Sequence, residues 1–108
     1  MEMGRLKISE YLTVKYSTIE TLSNAGVKNG TEILLYALIE SLSKKDRHCT
    51  ASNEYMAKVL HCSERSIQNY LRHLKECGLV KMYNDVGVHG TARTIYPQIM
   101  PINSPKQG

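Results

Sequence analysis

Arg65, Gln68, Asn69 and Arg72 recur at helical spacing within "SERSIQNYLRHLKE". At 100° per residue an α-helix gathers these four onto about 100° of its surface. Ile67, Tyr70, Leu71 and Leu74 fall on the opposite side. Guanidinium groups grip guanine edges or phosphates in pairs of bonds, and carboxamides match the adenine edge. The chemistry on offer is therefore hydrogen-bonded reading of a nucleic-acid groove. Arg65, Ser66, Gln68 and Asn69 lie in the N-terminal half of such a helix, the half that reaches base edges. Arg72, one turn further, and Ser63 at the helix start, where backbone amides point outward, suit the phosphate backbone better.

Charge is distributed in keeping with that reading. The 108 residues carry a net charge of +4, a weak hint of a polyanionic partner when taken alone. Residues 44–93, however, hold nine Lys and Arg against five Asp and Glu, whereas residues 1–43 hold four against five. Basic charge is concentrated where the polar row lies. Glu64 and Glu76, on the same helix, would repel phosphate and fit an ordinary solvated face instead.

A row of polar groups needs a scaffold to hold it outward. Residues 31–43, "TEILLYALIESLS", are apolar around most of a helical circumference, which marks a central core helix. Thr31 is its expected cap, Glu32 suits its first turn, and Lys44 and Lys45 follow its last. "DRHCTAS" is a connector with extended residues at His48–Thr50. "SNEYMAKVL" starts at a capping Ser and runs as a short helix. "HCS" makes a tight turn, with His61 standing where glycine is usual, and Ser63 caps the next helix to Cys77. Gly78 follows where a left-handed cap is wanted. "LVKMY" and "RTIYP" read as strands around a loop, "NDVGVHGTA". Earlier in the chain, "YLTVKY" suggests a short extended piece near Tyr11–Tyr16, and Ser17–Ser23 a helical turn or two.

The order helix, helix, helix, strand, strand defines the expected fold: α+β, mainly α, a winged helix-turn-helix with a three-helix core and a C-terminal β-hairpin wing. Met56, Ala57, Leu60, Cys62, Ile67 and Tyr70 fall at the buried positions of the two-helix motif, with Ala57 small enough for a steep crossing. The domain spans residues 31–97, after an N-terminal extension (1–30) suited to dimerisation or packing and before a flexible tail (98–108). On the wing, Lys81, His89 and Arg93 are secondary contact candidates, and Lys44, Lys45 and Arg47 could touch flanking phosphates. Lys44 and Lys45 also serve as an ordinary C-terminal charge cluster that complements the helix dipole.

Other chemistries find less support. Cys49, Cys62 and Cys77 are odd in number and irregularly spaced, which argues against a disulfide framework and for a reducing cytoplasm. His48–Cys49, His61–Cys62 and His73 with Cys77 offer zinc-ligand types, but no CxxC pair is present, so no metal or other cofactor is expected. There is no phosphate loop and no HExxH, and an enzyme is not expected. No apolar run reaches the roughly 18–20 residues that a bilayer span requires.

From Leu34 to Tyr96 the chain resembles the winged-helix domains of plasmid and phage replication initiators of Gram-positive bacteria. The resemblance rests on "LLYALIESLS", "CTASNEYMAKVL", "CSERSIQNYLRHLKECGLV" and "RTIYP". It implies that the helix beginning at Ser63 reads double-stranded DNA and that the hairpin from Leu79 to Tyr96 is the wing. It also implies a replication-initiator-like protein or a transcriptional regulator of a mobile element, in a bacterial cytoplasm in association with nucleoid or plasmid. Winged-helix DNA binders commonly act as homodimers on paired half-sites. The competing expectation is an adaptor that uses the same scaffold to bind a host or replication protein. Full initiators carry a further domain, whereas this sequence stops at Gly108.

Overall fold

The structure is a computed structural model and describes residues 12–87 and 90–99. Four helices precede a two-stranded antiparallel hairpin: α1 (Tyr16–Asn24), α2 (Gly30–Leu42), α3 (Asn53–Leu60), α4 (Glu64–Glu76), β1 (Val80–Gly87) and β2 (Gly90–Pro97). This is the expected winged helix-turn-helix, with one additional helix in front.

α2 is central because its sequence leaves it little polar surface. Leu35, Tyr36, Leu38 and Ile39 are fully buried and meet Met56 of α3, Ile67 and Leu74 of α4, and Ile95 of β2 in one core. Each such side chain contributes about 1.5–3 kcal/mol on burial. α2 begins two residues earlier than its sequence suggests. Asn29, not Thr31, is the cap, and its Oδ1 accepts the Glu32 amide at 3.1 Å. Asn outranks Thr at this position because its short carbonyl reaches the third amide without a branched Cβ.

The N-terminal segment largely follows its reading: Lys15 is extended, Leu12–Lys15 pair with no strand, and the helix expected over Ser17–Ser23 runs from Tyr16 to Asn24. Tyr11 and all residues before it lie outside the described residues. Thr18 and Leu22 of α1 and Val27 beyond it are buried, so this segment packs on the core.

The two-helix motif follows the expected turn. Ser52 Oγ accepts the Tyr55 amide at 3.0 Å to start α3. His61 ends it in the left-handed region, φ 56° and ψ 47°, a conformation that His tolerates better than β-branched residues do. Ser63 Oγ then accepts the Ser66 amide at 3.0 Å to start α4. Gly78 at φ 77° closes it, where a Cβ would be strained.

The hairpin is longer than its apolar alternation suggests. Pairing runs from Val80↔Pro97 to Gly87↔Gly90, so residues 84–87 and 90–92 belong to the ladder, not to a loop. That half of the sequence has no period-two apolar pattern, which is why strand continuation there is hard to read. Cys49 adds a third extended contact: its amide donates to Ile95 O at 2.8 Å, and the Ile95 amide donates back at 2.9 Å. The start of the expected tail is tied as well. The Gln98 amide donates to Leu79 O and the Ile99 amide to Tyr36 Oη. Residues 100–108 lie outside the described residues.

Candidate nucleic-acid interface

α4 is strongly two-sided. Ile67, Leu71 and Leu74 are buried, while Arg65, Gln68, Asn69 and Arg72 are exposed along the other side, as their spacing requires. From Arg65 to Arg72 the row covers about 10 Å of helix. Two of its members are already bonded: Arg72 Nη2 donates to Asn69 Oδ1 at 3.1 Å. The pair orients the guanidinium before any ligand arrives, and leaves the Asn69 amide donors facing outward. Ser63 and Ser66 serve the helix start. Besides accepting the Ser66 amide, Ser63 Oγ donates to Ser66 Oγ at 3.0 Å, which leaves the Ser66 hydroxyl proton available.

Strand alternation decides what the wing offers. Val80, Met82, Asn84, Arg93 and Ile95 fall on the face toward the helices, and Lys81, Tyr83, Thr94 and Tyr96 on the other. A notch of about 290 Å³ lies between α4 and the inner face. Gln68, Arg72 and Lys75 line it from the helix, Asn84 and Arg93 from the hairpin, and Asn53 from α3, above a floor of Leu71 and Met82. Its lining has three cationic side chains and no carboxylate. Lys75, Asn53 and Asn84 are not among the contacts that the sequence points to. Lys75 had a signal, since it continues the row one turn beyond Arg72. Asn84 had none until the register placed it opposite Arg93.

Arg93 departs from the role expected of a wing contact. Its side chain turns inward and is half-buried; Nη1 donates to Asn53 Oδ1 and Nη2 to Ala51 O, both at 2.6 Å. Nε is buried without a partner. Desolvation pushes this guanidinium below its ordinary pKa, and Cys49 nearby acts in the opposite direction. The residue binds the wing to the connector and adds positive charge to the notch from behind.

The remaining candidates do not join the row. Lys81 is exposed on the outer face, across from Tyr96. Tyr83 and Tyr96 pack edge to face there at 5.5 Å, and His48 meets Tyr96 at the same distance. Lys44, Lys45 and Arg47 are exposed in the turn leading to His48, with Arg47 at φ 67°. None of these cations lines the notch. His89 lies outside the described residues. Among the described residues, no three His, Cys, Asp or Glu side chains are grouped to hold a metal ion, and no helix is long and apolar enough to cross a membrane.

The sequence pattern of a known family, described as a helix-turn-helix domain, matches residues 25–80, more than half of the chain. The chain belongs to the helix-turn-helix domain family. The matched segment begins at the turn before α2 and ends on β1, so it contains the whole α4 row but not β2. A solved structure described as the N-terminal domain of a DNA-binding protein shares the fold of this helix-turn-helix protein at a TM-score of 0.58. The two are 18% identical, over 90% of this chain and 79% of the other. No characterised protein matches the sequence.

Proposed function

We propose that this helix-turn-helix protein binds double-stranded DNA sequence-specifically, with α4 in the major groove. The observation that carries this reading is the exposed row Arg65–Gln68–Asn69–Arg72 opening onto a cationic, carboxylate-free notch. Arg65, Ser66, Gln68 and Asn69 meet base edges; Ser63, Arg72 and Lys75 meet phosphates. Lys81 and His89 of the wing, with Lys44, Lys45 and Arg47, make secondary backbone contacts, and Arg93 contributes by holding the wing. The similarity to a domain of a DNA-binding protein supports the same direction.

The biological setting that fits is a mobile element or its bacterial host, in the cytoplasm with nucleoid or plasmid. There the protein acts as a replication-initiator-like factor or a transcriptional regulator and carries no catalytic step of its own. A homodimer on paired half-sites is the proposed assembly. Tyr16 of α1 and Leu34 of α2 are 73% and 41% exposed and supply apolar surface for it. The adaptor reading, with a host or replication protein as partner, is favoured by one feature, the exposed Tyr83 and Tyr96 on the outer face of the wing, with His48 against Tyr96.

Selection of bound duplexes from a random pool separates the two. Direct reading yields an enriched motif, in two copies if the protein dimerises, and an affinity that falls steeply with salt. Asn69→Ala should then cost roughly 1–3 kcal/mol of sequence preference. An unenriched pool, or a motif unchanged by both Asn69→Ala and Gln68→Ala, would overturn reading by α4.

A further inference from the structure

On the side of α4 away from the row, three groups stand in a line. Glu32 of α2 is a buried carboxylate, its side chain 5% exposed. Its Oε2 lies 2.6 Å from His73 Nδ1. The other ring nitrogen, Nε2, lies 3.6 Å from Cys77 Sγ. A carboxylate only accepts, so in the neutral imidazole the ring proton sits on Nδ1. Nε2 is then a bare acceptor aimed at the thiol. This is the order of parts that activates a nucleophilic thiol: sulfur, adjacent base, and a third group that orients the base.

The cysteines of the chain are not equivalent in this respect. Cys49 is fully buried in the core, and desolvation pushes its thiol upward. Cys62 is half-buried, like Cys77, but has no imidazole bonded to it. Beside Cys77, Gly26 of the α1–α2 turn presents no side chain; a Cβ there would sit 4.0 Å from the sulfur. The thiol thus has a base on one side, and its residue is only half-buried.

We propose that Cys77 is a modification site for low-molecular-weight disulfides, with His73 as proton acceptor and Glu32 as the positioning carboxylate. The Cys77 sulfur forms a bond to one sulfur of the disulfide while the original S–S bond breaks. His73 Nε2 takes the thiol proton and passes it to the departing thiolate. Cys77 is oxidised to a mixed disulfide and the leaving sulfur is reduced to a thiol, so no further oxidant is needed. The site is chemically independent of what the outward row of α4 binds.

The test is mass mapping of mixed disulfides on the folded full-length chain exposed to glutathione disulfide, with each rate normalised to the same cysteine in the denatured chain. Cys77 should react at least about tenfold faster than Cys62, a threshold set below the roughly hundredfold that a positioned base typically supplies at the least. His73→Gln should bring Cys77 down to the Cys62 level. Glu32→Gln should slow it several-fold, yet change nothing further when His73→Gln is already present. Equal rates at Cys77 and Cys62 in the unmodified protein would overturn the proposal, and that comparison requires no variant to fold. So would a His73→Gln protein whose Cys77 reacts as fast or faster, the result expected if the His73–Glu32 bond only anchors α4.

Discussion

Arg72 and Arg93 face the same notch from opposite walls and are held in opposite ways. Arg72 stands in solvent on α4 with one side-chain bond, to a neighbour three residues away. Arg93 is half-buried on β2 and bonds across 42 and 40 residues of sequence to Ala51 and Asn53. A solvated guanidinium with spare donors can be redirected to a ligand at little conformational cost. One that is desolvated and bonded at both ends of its fork cannot let go without orphaning a buried carbonyl. The same side chain is a contact in one wall and a fastening in the other, and the difference lies in the elements behind it. α4 presents its row by helical periodicity alone, whereas the wing has no such register with the helices and needs a tie.

Replacing each arginine breaks the comparison most directly. Arg93→Ala should destabilise the protein by about 2–3 kcal/mol in denaturant unfolding, since two charge-assisted bonds are lost and Ala51 O loses its guanidinium donor. Arg93→Lys should recover only part of this, because an ammonium cannot fork to both acceptors. Arg72→Ala should leave stability within about 0.5 kcal/mol and lower DNA affinity instead. Equal losses of stability at the two positions would mean that the notch is fastened from both walls.

The sequence is legible where burial imposes a period. The run Ile33–Leu42 can only be a core helix, and Arg65–Arg72 can only face away from Ile67, Leu71 and Leu74 once the helix exists. Ser52, Ser63 and Gly78 mark their boundaries through local chemistry that needs no tertiary context. What stays hidden is set by contacts between distant segments. Nothing local tells that Arg93 points inward, because that depends on which face of β2 meets Ala51. The pairing of Glu32 with His73 joins residues 41 apart and has no signature in either helix alone. Asn29 is the intermediate case: its residue type suits a cap, yet the sequence points first to Thr31, which lies closer to the apolar run.

A smaller effect tests whether the row is as self-supporting as its periodicity suggests. Ser63 begins α4 by accepting the Ser66 amide. Ser63→Ala should cost about 1 kcal/mol of stability. Because the first turn carries Arg65 and Ser66, fraying there should also weaken DNA binding more than the stability loss alone predicts. Ser52→Ala, which removes the equivalent cap of α3, serves as the control. It should cost a similar amount of stability while leaving affinity nearly unchanged. Matching losses of affinity would indicate that the row depends on the whole motif and not on the start of α4.

Glu40 on α2 lies between the two arginine regimes: half-buried, with charge partners but no fork. Desolvation raises its pKa above the ordinary carboxylate value, and the positive charges of Lys15 and Lys44 offset this only in part. An acid raised in the native state holds its proton more tightly folded than unfolded, so its contribution to stability falls as pH rises. The loss starts near the unfolded value, about pH 4, and is complete once pH exceeds the raised folded value. Glu40→Gln removes that penalty. The variant should be slightly more stable than the unmodified protein at neutral pH and no more stable near pH 4. Urea unfolding at both pH values reads the difference. A gain that is the same at both would assign it to the amide's own bonding, and Glu40 would then behave like Arg72, a charge that solvent keeps satisfied.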